Sequence, residues 1–382
     1  LLIVLRNKAP EVLGSEALKA KNALPDPKDF LDLASIGTIC DMVPLVGMNR
    51  LLAHRGLEAL RKTQRCGLSA LLDVAGLQSR RIDSGHVAYV VGPRMNAAGR
   101  LGDANDVIRL LTTKDAKKAK RLAQSIDRLN SDRRTIEEAV LSSCLAQLSQ
   151  NPSLLAQPAI ALYGENYHLG VIGIVAQRLV ERFNRPVAVM GPGEIEMGEG
   201  MQRVVKGSVR SVDGFHVADN LSKLARLLLA HGGHAAAGGF SLSLANLENF
   251  KRQFVDAAAS CLTAEHLQRK VTADMQISLA DINFELAESL TRLAPFGVGN
   301  PSPVFITASV NVDSVMLVGQ KHLRLRVSEN ECVRNAIAWG MHGNALLRKG
   351  EQVNIAYQVE INTYKGVSSV QLNIKEVWRP AP

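Results

Sequence analysis

Apolar residues recur at helical spacing through the first part of the chain. Residues 1–100 are predicted to be mostly helical with short apolar strands, including an apolar helix end over 1–6 and an amphipathic basic helix over 49–62. Residues 103–150 carry the longest uninterrupted helical pattern, with a charged outer face typical of a connector between domains. The basic run over 114–134 is either a solvated face or a rim for nucleic acid.

A change of pattern at Asn151-Pro152 predicts a domain boundary, because an Asn-Pro pair interrupts helices and strands. An apolar strand, a helical pattern and a second strand follow, which predicts a parallel pair with a right-handed crossover. A hairpin or loop then precedes one more strand and two helices. The predicted elements are strand 159–163, helix 170–183, strand 186–190, hairpin or loop 194–202, strand 204–211, and helices 214–230 and 245–262.

The pattern changes again at Val271, after which strand-like runs follow one another closely. Polar and apolar side chains alternate in these runs, and glycines separate several of them. Close-spaced strands of this kind predict a small barrel of the OB-fold type. The predicted strands cover residues 304–310, 312–318, 323–327, 333–339, 353–361 and 367–377.

Composition narrows the class of protein. A chain of 382 residues predicts two to three domains, and 46% hydrophobic residues are enough for sizeable cores. The net charge of +9 favours an anionic partner such as nucleic acid. The five cysteines lie far apart without a CxxC motif, so a reducing cytoplasm is expected rather than a disulfide framework or a zinc site. No apolar run reaches the ~18 residues of a membrane span.

The segment Gly232–Gly239 (GGHAAAGG) is the most informative stretch of the chain. Glycine is used where the backbone needs a positive φ or a very close approach. His234, fixed between such glycines, can meet a phosphate or a metal-bound oxygen. The alternative is a Gly/Ala-rich turn packed under a helix, and the segment alone does not decide between the two.

A second segment of this kind carries Ser208 and Arg210 on one predicted strand. Residues two apart on a strand point to the same face, so this hydroxyl and this guanidinium can hold one terminal phosphate. Upstream, Gly170 and Gly173 open a predicted helix. They indicate either a phosphate-binding helix N-terminus or tight packing of helix against sheet, and the packing interpretation is favoured.

Two further segments carry candidate chemistry. Asp41 lies between apolar residues at the end of a strand or helix, where a carboxylate binds a metal, accepts hydrogen bonds or caps the following turn. Residues 92–102 pack Arg94, Asn96 and Arg100 between glycines and a proline. Arginines suit bidentate contacts to phosphate, but the alternative is a structured loop whose arginines pair with local acids.

Together these motifs resemble the RecJ family, single-strand-specific exonucleases of the DHH phosphoesterase superfamily. Each motif is weak alone, but six in the right order are specific, and the resemblance covers essentially the whole chain. The matching segments are 37–45 (GTICDMVPL), 93–100 (PRMNAAGR), 170–176 (GVIGIVA), 207–211 (GSVRS), 232–239 (GGHAAAGG) and 295–301 (PFGVGNP), with 356–378 also similar.

The resemblance implies an α/β fold with four parts in order. They are the C-terminal part of a DHH domain over 1–102, a connecting helix over 103–150, a DHH-associated domain with the GGH motif over 151–265, and an OB-fold barrel over 271–382. It also implies 5′-to-3′ hydrolysis of single-stranded DNA to mononucleotides, in DNA repair and recombination, with two Mn²⁺ or Mg²⁺ ions.

Roles for individual residues also come from the resemblance. Asp41 is expected to be a metal ligand, and Ser208 and Arg210 are expected to hold the 5′ phosphate. His234 is expected to contact the scissile phosphate opposite the metals. The DNA path is expected to be lined by Arg94, Asn96 and Arg100.

The sequence departs from the family at its metal site. The family's Asp-x-Asp motif, the next Asp and the Asp-His-His motif do not occur in it. The chain is therefore expected to lack most metal ligands, to represent such an enzyme without its N-terminal part, and to be inactive as a nuclease by itself. Two alternatives remain: an inactive relative that binds single-stranded nucleic acid, and a DHH-family phosphodiesterase acting on oligonucleotides.

The expected partner is single-stranded DNA, with a single-strand-binding protein and a helicase as further expected partners. A cytoplasmic monomer that contacts no membrane is expected. Stacking of bases on the barrel is expected from its few aromatic residues, namely Phe305, Trp339, Tyr357 and Tyr364.

Overall fold

The computed structural model describes residues 26–77, 82–197, 200–364 and 366–380. The predicted helix end over residues 1–6 lies outside them. The longer helices are α1 (Leu31–Cys40), α2 (Gly47–Leu60), α3 (Cys66–Val74), α4 (Gly92–Leu101), α5 (Asn105–Thr112), α6 (Ala116–Gln150), α7 (Leu169–Phe183), α8 (Val217–Lys223), α9 (Leu247–Cys261) and α10 (Phe284–Thr291). Short helical segments are Pro27–Phe30, Ser84–His86, Val87–Val91, Ser153–Ala156, Ala225–Leu227, Leu244–Asn246 and Leu279–Asp281.

The strands form two separate sheets. The first contains β1 (Ile160–Tyr163), β2 (Val187–Met197), β3 (Gly200–Arg210), β4 (Ala230–Gly233) and β5 (Ala237–Leu242). The second contains β6 (Met275–Gln276), β7 (Phe305–Val318), β8 (His322–Glu329), β9 (Cys332–Ala338), β10 (Gln352–Tyr364) and β11 (Val367–Trp378). The chain divides into two compact units: one holds residues 1–64, 77–92 and 271–382, and the other holds 65–76 and 93–270. The four-part division expected from the sequence stays a prediction.

The helical part of the first unit is built on α1 and α2. A methyl group at Gly56 of α2 would lie 2.4 Å from the Leu31 carbonyl oxygen, so only glycine permits this close approach of the two helices. Their apolar side chains, including Ile36 and Leu57, are buried. The short strands expected before residue 100 are absent from the described residues 26–77 and 82–100, because the apolar positions there follow the helical period.

The other part of the first unit is the barrel expected from the sequence. Strand β7 pairs with both β8 and β10, so the ring β7–β8–β9–β11–β10 closes on itself. The two strands expected over 304–318 are one strand, whose register shifts at Val312/Ser314. Along β8, Leu323, Leu325 and Val327 are buried while Arg324 and Arg326 are exposed, which confirms the expected alternation.

Two of the four aromatic residues expected to stack on bases are part of the barrel core. Phe305 and Tyr357 are buried, and the Tyr357 hydroxyl hydrogen-bonds to Thr307 Oγ1 at 2.7 Å. That expectation was wrong for both, because their strand positions point inward. Trp339 is 55% exposed beside the His322 ring and keeps its expected place on the surface. The side chain of Tyr364 lies outside the described ones.

The sheet of the second unit has the order β1–β2–β3–β5–β4, with β1 parallel to β2 and the other pairs antiparallel. This confirms the expected β-α-β unit, in which α7 connects β1 to β2. One apolar core lies between the sheet and α7 with α6, and another lies on the opposite face with α8 and α9. The helix expected over 214–230 is shorter, because the chain turns extended at Leu228 and enters β4.

The long helical pattern over 103–150 is two helices, α5 and α6, rather than one. Thr113 is extended, and the Asp115 carboxylate accepts hydrogen bonds from the Lys117 and Lys118 backbone N–H groups, which starts a new helix. In the part of the chain that is described, no helix combines the length and the apolarity needed to cross a bilayer.

Helix α6 is joined to α7 by a buried ionic cluster. The Glu137 carboxylate is almost fully buried and contacts the guanidinium of Arg133 at 2.6 Å and that of Arg178, on α7, at 2.6 Å. Burial lowers the pKa of Arg133, while the negative charge of Glu137 raises it. The cluster therefore fixes the position of α7 on α6.

Replacing Glu137 by glutamine is expected to lower the free energy of unfolding by about 3 kcal/mol, because a buried guanidinium loses its counter-charge. The measurement is chemical denaturation of the wild type and of Glu137→Gln. The control is Asp132→Asn at an exposed position of the same helix, with an expected change below about 0.5 kcal/mol. Equal effects of the two substitutions would contradict a structural role for the Glu137 cluster.

Candidate anion-binding pocket

Strand β3 presents three polar side chains to the face of the sheet that α7 covers. Lys206, Ser208 and Arg210 alternate along the strand, and their partners on β2 include Val187 and Val189, which belong to the core under α7. The Arg210 guanidinium donates to Ser208 Oγ at 3.0 Å and to the Val209 carbonyl oxygen at 2.9 Å. The prediction that residues 208 and 210 share one face is confirmed by this contact.

These side chains line a pocket of about 510 Å³ between α7 and the sheet. Its lining contains arginine and lysine but no aspartate or glutamate. The lining residues are Arg100, Leu169, Ile172, Gly173, Lys206, Gly207, Ser208, Arg210, Ala230, His231, Gly239, Phe240 and Ser241. A cavity with several cations and no acid favours an anionic ligand.

Glycines keep the pocket open on two sides. A methyl group at Gly173 of α7 would lie 3.0 Å from Ser208 Oγ and 3.1 Å from Arg210 Nη2. It would therefore occupy the space in which a ligand contacts these two side chains. On the sheet, Gly239 pairs with Ser208 and Gly232 pairs with Gly239, so the row beside Ser208 carries no side chain. A methyl group at Gly232 would meet no atom within 4 Å.

The GGHAAAGG segment is therefore a β-hairpin, and its Gly/Ala-rich turn packs against the start of α8, where the Val217 and Ala218 N–H groups donate to the Ala235 and His234 carbonyl oxygens at 2.8 and 3.2 Å. The alternative of a turn packed under a helix thus describes part of this segment. Gly233 and Gly238 face the other side of the sheet. Gly233 has a φ of 158°, and a methyl group there would lie 2.5 Å from the Ala237 carbonyl oxygen. A methyl group at Gly238 would lie 2.7 Å from Val217 of α8. Of the four glycines, Gly239 thus lines the pocket, Gly232 pairs with it on the same face, and Gly233 and Gly238 allow the hairpin to close and pack.

Arg100, at the end of α4, is brought to the pocket by a close approach of two helix ends. It donates to the Gly170 carbonyl oxygen at 3.0 Å. A methyl group at Gly170 would lie 2.6 Å from the Arg100 carbonyl oxygen, so tight packing explains this glycine. The backbone N–H of Gly170 is already bonded to His168 Nδ1, which caps α7.

Two guanidinium groups of like charge therefore meet at the pocket. Burial lowers the pKa of Arg210, and the nearby positive charge of Arg100 lowers it further. Since no acidic side chain lines the pocket, this repulsion has no local compensation. An anion with two or more negative charges would relieve it, and the planar guanidinium fork suits the oxygens of a phosphate.

His234 lies on the exposed turn between β4 and β5 and is not part of the pocket lining. Its backbone N–H donates to the Ala237 carbonyl oxygen at 2.8 Å, and Ala237 pairs with Arg210. The turn therefore follows the Arg210 end of the pocket, and the role expected for His234 stays a proposal.

The segment over 92–102 is helix α4 rather than a loop, because it continues directly from a π-helical turn over Val87–Val91. Arg94 forms an ion pair with Asp127 of α6 at 2.8 Å. For Arg94, the alternative prediction of pairing with an acidic residue of the protein is therefore the one that the structure shows. Asn96 is exposed and precedes Arg100 by one helical turn on the same face of α4. Arg100 alone of the three lines the pocket.

Asp41 belongs to the first unit and follows the last turn of α1 as its C-cap, so the suggestion that it caps the following turn is wrong. It is exposed, and the chain beyond it is fixed where Leu45 N–H donates to the Val298 carbonyl oxygen at 2.6 Å. The segment 295–301 thus packs against this loop. Among the described residues, no group of three or more His, Cys, Asp or Glu is arranged to hold a metal ion. A two-metal site needs several such ligands, and Asp41 alone does not fit one.

The sequence motifs did not single out Lys206 or Ser241 as pocket residues, and they did not predict that the row beside Ser208 carries no side chain. The alternation of residues 206, 208 and 210 was the available signal for Lys206. No signal in the sequence predicted which residues β5 places opposite β3.

Comparison with known proteins identifies the parts of the chain. A DHHA1 domain matches residues 156–262 and a RecJ OB domain matches residues 273–376. The chain is 34% identical over 369 residues to the single-stranded-DNA-specific exonuclease RecJ of Dickeya dadantii, and 33% identical over 367 residues to that of Escherichia coli. The chain resembles the RecJ exonucleases over nearly its whole length. The expected resemblance is confirmed.

The structure of the chain agrees with this similarity. RecJ of Thermus thermophilus with Mn²⁺ superposes with a TM-score of 0.78 at 31% identity, covering 96% of this chain and 52% of that one. A second exonuclease RecJ bound to manganese superposes with a TM-score of 0.52 at 37% identity, covering 64% of this chain and 58% of that one. Both curated relatives match 93% of this chain, which spans 62% of their length.

Replacing Gly173 by alanine is expected to lower affinity for a 5′-phosphorylated oligonucleotide about tenfold, because the added methyl group takes ligand space beside Ser208 and Arg210. Stability should not fall, since alanine favours a helix over glycine by about 1 kcal/mol. The measurement is fluorescence anisotropy together with thermal unfolding. The control is Gly37→Ala in α1, where a methyl group meets nothing within 4 Å. Unchanged affinity in Gly173→Ala would contradict the assignment of the pocket.

Proposed function

We propose that this chain recognises the 5′-terminal phosphate of single-stranded DNA as part of a 5′-to-3′ exonuclease that releases mononucleotides. The observation that carries the proposal is the pocket with Arg100, Ser208 and Arg210 and without an acid. The curated relatives are named single-stranded-DNA-specific exonucleases, which supports the same substrate.

The chemistry of the pocket favours a terminal phosphate over an internal one. A terminal phosphate monoester carries about two negative charges at neutral pH, whereas a phosphodiester carries one. Arg210 offers a planar pair of N–H donors and Ser208 offers a hydroxyl donor. Arg100 adds a second positive charge from the end of α4. Bound phosphate would thus stabilise a pair of guanidinium groups that otherwise repel each other.

The positions of these groups give the DNA end a direction. His234 lies on the turn that follows the Arg210 end of β3. With the terminal phosphate on Ser208 and Arg210, the first phosphodiester bond extends toward this turn. His234 is proposed to contact that scissile phosphate from the protein side, while Asn96 and the α4 surface are proposed to follow the DNA path.

Hydrolysis in this reaction class is supplied by two divalent ions that activate a water molecule for in-line attack on phosphorus. Solved RecJ structures from Thermus thermophilus hold Mn²⁺ or Mg²⁺, and the same ions are proposed as cofactors of the whole protein. Asp41 is proposed as one ligand. Because the described residues do not fit a two-ion site, their part in the reaction is to bind and orient the DNA end.

The barrel is proposed as a second contact with single-stranded DNA. Trp339 is exposed for stacking, and Arg324 and Arg326 alternate with buried residues along β8. Exposed aromatic side chains beside cationic ones suit single strands, whose bases are free to stack.

Location and partners also belong to this proposal. The five cysteines are unpaired, which supports the reducing cytoplasm expected from the sequence. A monomer is proposed, with a single-strand-binding protein and a helicase as proposed partners that rest on the family resemblance alone.

Arg210→Ala is expected to weaken binding of a 5′-phosphorylated oligonucleotide by about one to two orders of magnitude, because a charge-assisted hydrogen bond contributes roughly 1.5–3 kcal/mol. An oligonucleotide with a 5′ hydroxyl should be affected much less. The measurement is the affinity for both oligonucleotides without added metal. The control is Arg203→Ala, an exposed arginine of the same strand that binds Glu165. An equal loss of affinity for both oligonucleotides would contradict recognition of the 5′ phosphate and would show that Arg210 contacts the DNA backbone without regard to its end.

The chain is expected to bind single-stranded DNA more tightly than duplex, with affinity falling between ~50 and ~200 mM salt. Trp339→Ala should reduce the affinity for single strands about tenfold, since stacking of a base contributes roughly 1–3 kcal/mol. The control is Tyr89→Ala, an exposed aromatic residue outside the barrel. Equal affinity for single and double strands, or no effect of Trp339→Ala, would contradict the role of the barrel.

A further inference from the structure

The pocket is larger and more cationic than one terminal phosphate requires. Ser208, Arg210 and Arg100 can together surround a single phosphate, and they occupy one end of a cavity of about 510 Å³. Lys206 and Ser241 line the other end. Since these two residues pair directly across β3 and β5, an amino group and a hydroxyl group are placed side by side beyond the first phosphate.

Lys206 is held in place without being neutralised. A methyl group at Gly193 of β2 would lie 2.8 Å from Lys206 Cδ and 3.2 Å from Leu169 Cδ1, so the lysine stem crosses a bare glycine toward the start of α7. Among the described residues, the Lys206 ammonium has no ion pair or hydrogen bond. Its stem is therefore positioned by packing, and its charge remains available to a ligand.

The order of residues along β3 says which part of a ligand reaches Lys206. Lys206 and Arg210 lie on opposite sides of Ser208, each about 6.6 Å from it along the strand. The turn with His234 follows the Arg210 end. If the nucleotide chain leaves the terminal phosphate toward His234, Lys206 lies on the side away from the nucleotides. Only a group attached to the terminal phosphate itself extends in that direction.

We propose that this pocket accepts 5′ ends that carry more than one phosphate, with Lys206 and Ser241 binding the phosphate beyond the one held by Ser208 and Arg210. The proposal rests on the proposed function, because it takes the Ser208–Arg210 site as the place of the first phosphate. The ligand class is a single strand with a 5′ diphosphate or triphosphate. Because Gly239 pairs with Ser208 and Gly232 pairs with Gly239, no side chain stands beside Ser208 next to the Lys206–Ser241 pair.

The test compares three single-stranded oligonucleotides of one sequence, with a 5′ hydroxyl, a 5′ monophosphate and a 5′ triphosphate, by fluorescence anisotropy without added metal. The wild type is expected to bind the triphosphate at least as tightly as the monophosphate. Lys206→Ala should weaken binding of the triphosphate about tenfold and change that of the monophosphate less than about threefold. Lys206→Arg should retain most of the triphosphate affinity, because the charge is kept.

The control is Lys251→Ala, a lysine of α9 that pairs with Glu248 outside the pocket. Thermal unfolding of each variant shows that the fold is intact. Weaker binding of the triphosphate than of the monophosphate by the wild type would overturn the proposal, as would equal losses for both in Lys206→Ala. Arg210→Ala tests the site of the first phosphate separately from the site at Lys206. If this variant no longer distinguishes a 5′ monophosphate from a 5′ hydroxyl, the first site is supported, whatever the result for Lys206→Ala.

Discussion

The uncompensated positive charge of Arg100 and Arg210 is the feature on which the proposed site depends. A folded protein ordinarily places an acid beside such a pair, since like charges in a partly buried place are costly. Here the pocket lining contains none. The chain keeps the pair through backbone contacts instead, with Arg100 donating to the Gly170 carbonyl oxygen and Arg210 donating to that of Val209. The positive potential is thus built into the fold and available to an anionic ligand.

Helix α6 explains how the two guanidinium groups come together. Its Asp127 binds Arg94, which anchors α4, and its Glu137 binds Arg178, which anchors α7. The ends of α4 and α7 at the pocket are therefore both held by ion pairs to α6. The glycine at the contact of α7 with α4 sets the distance between them, because a methyl group at Gly170 would lie 2.6 Å from the Arg100 carbonyl oxygen. The proposed binding pocket of this unit therefore depends on the packing of α4, α6 and α7 as well as on its polar side chains.

Much of this arrangement was predictable from periodicity. The alternation along β8 and the β-α-β pattern before residue 190 predicted the barrel and the parallel pair, since both depend on local patterns of burial. The same alternation placed Ser208 and Arg210 on one face. Phe305 and Tyr357 were misassigned to the surface, because aromatic identity does not reveal which face of a strand is buried.

Contacts between distant segments were not predictable in this way. The segment with Arg94 and Arg100 gave no sign that one arginine would bind Asp127 and the other would reach the pocket, because this depends on how α4 packs. The hairpin of the GGH segment divides its glycines between two faces, and only the register of β4 on β5 decides which ones face the ligand. The roles of Asp41 and His234 come from family resemblance and remain proposals.

The most direct test of the account is the thermal stability of Arg100→Gln with and without a 5′-phosphorylated oligonucleotide. If Arg100 and Arg210 repel each other in the empty pocket, the free variant should be at least as stable as the wild type, because one of two uncompensated charges is removed. The stabilisation that the oligonucleotide gives the wild type should be largely lost in the variant, since at a fixed ligand concentration the stabilisation falls when the affinity falls. A variant that is less stable when free and is still fully stabilised by the oligonucleotide would contradict the account.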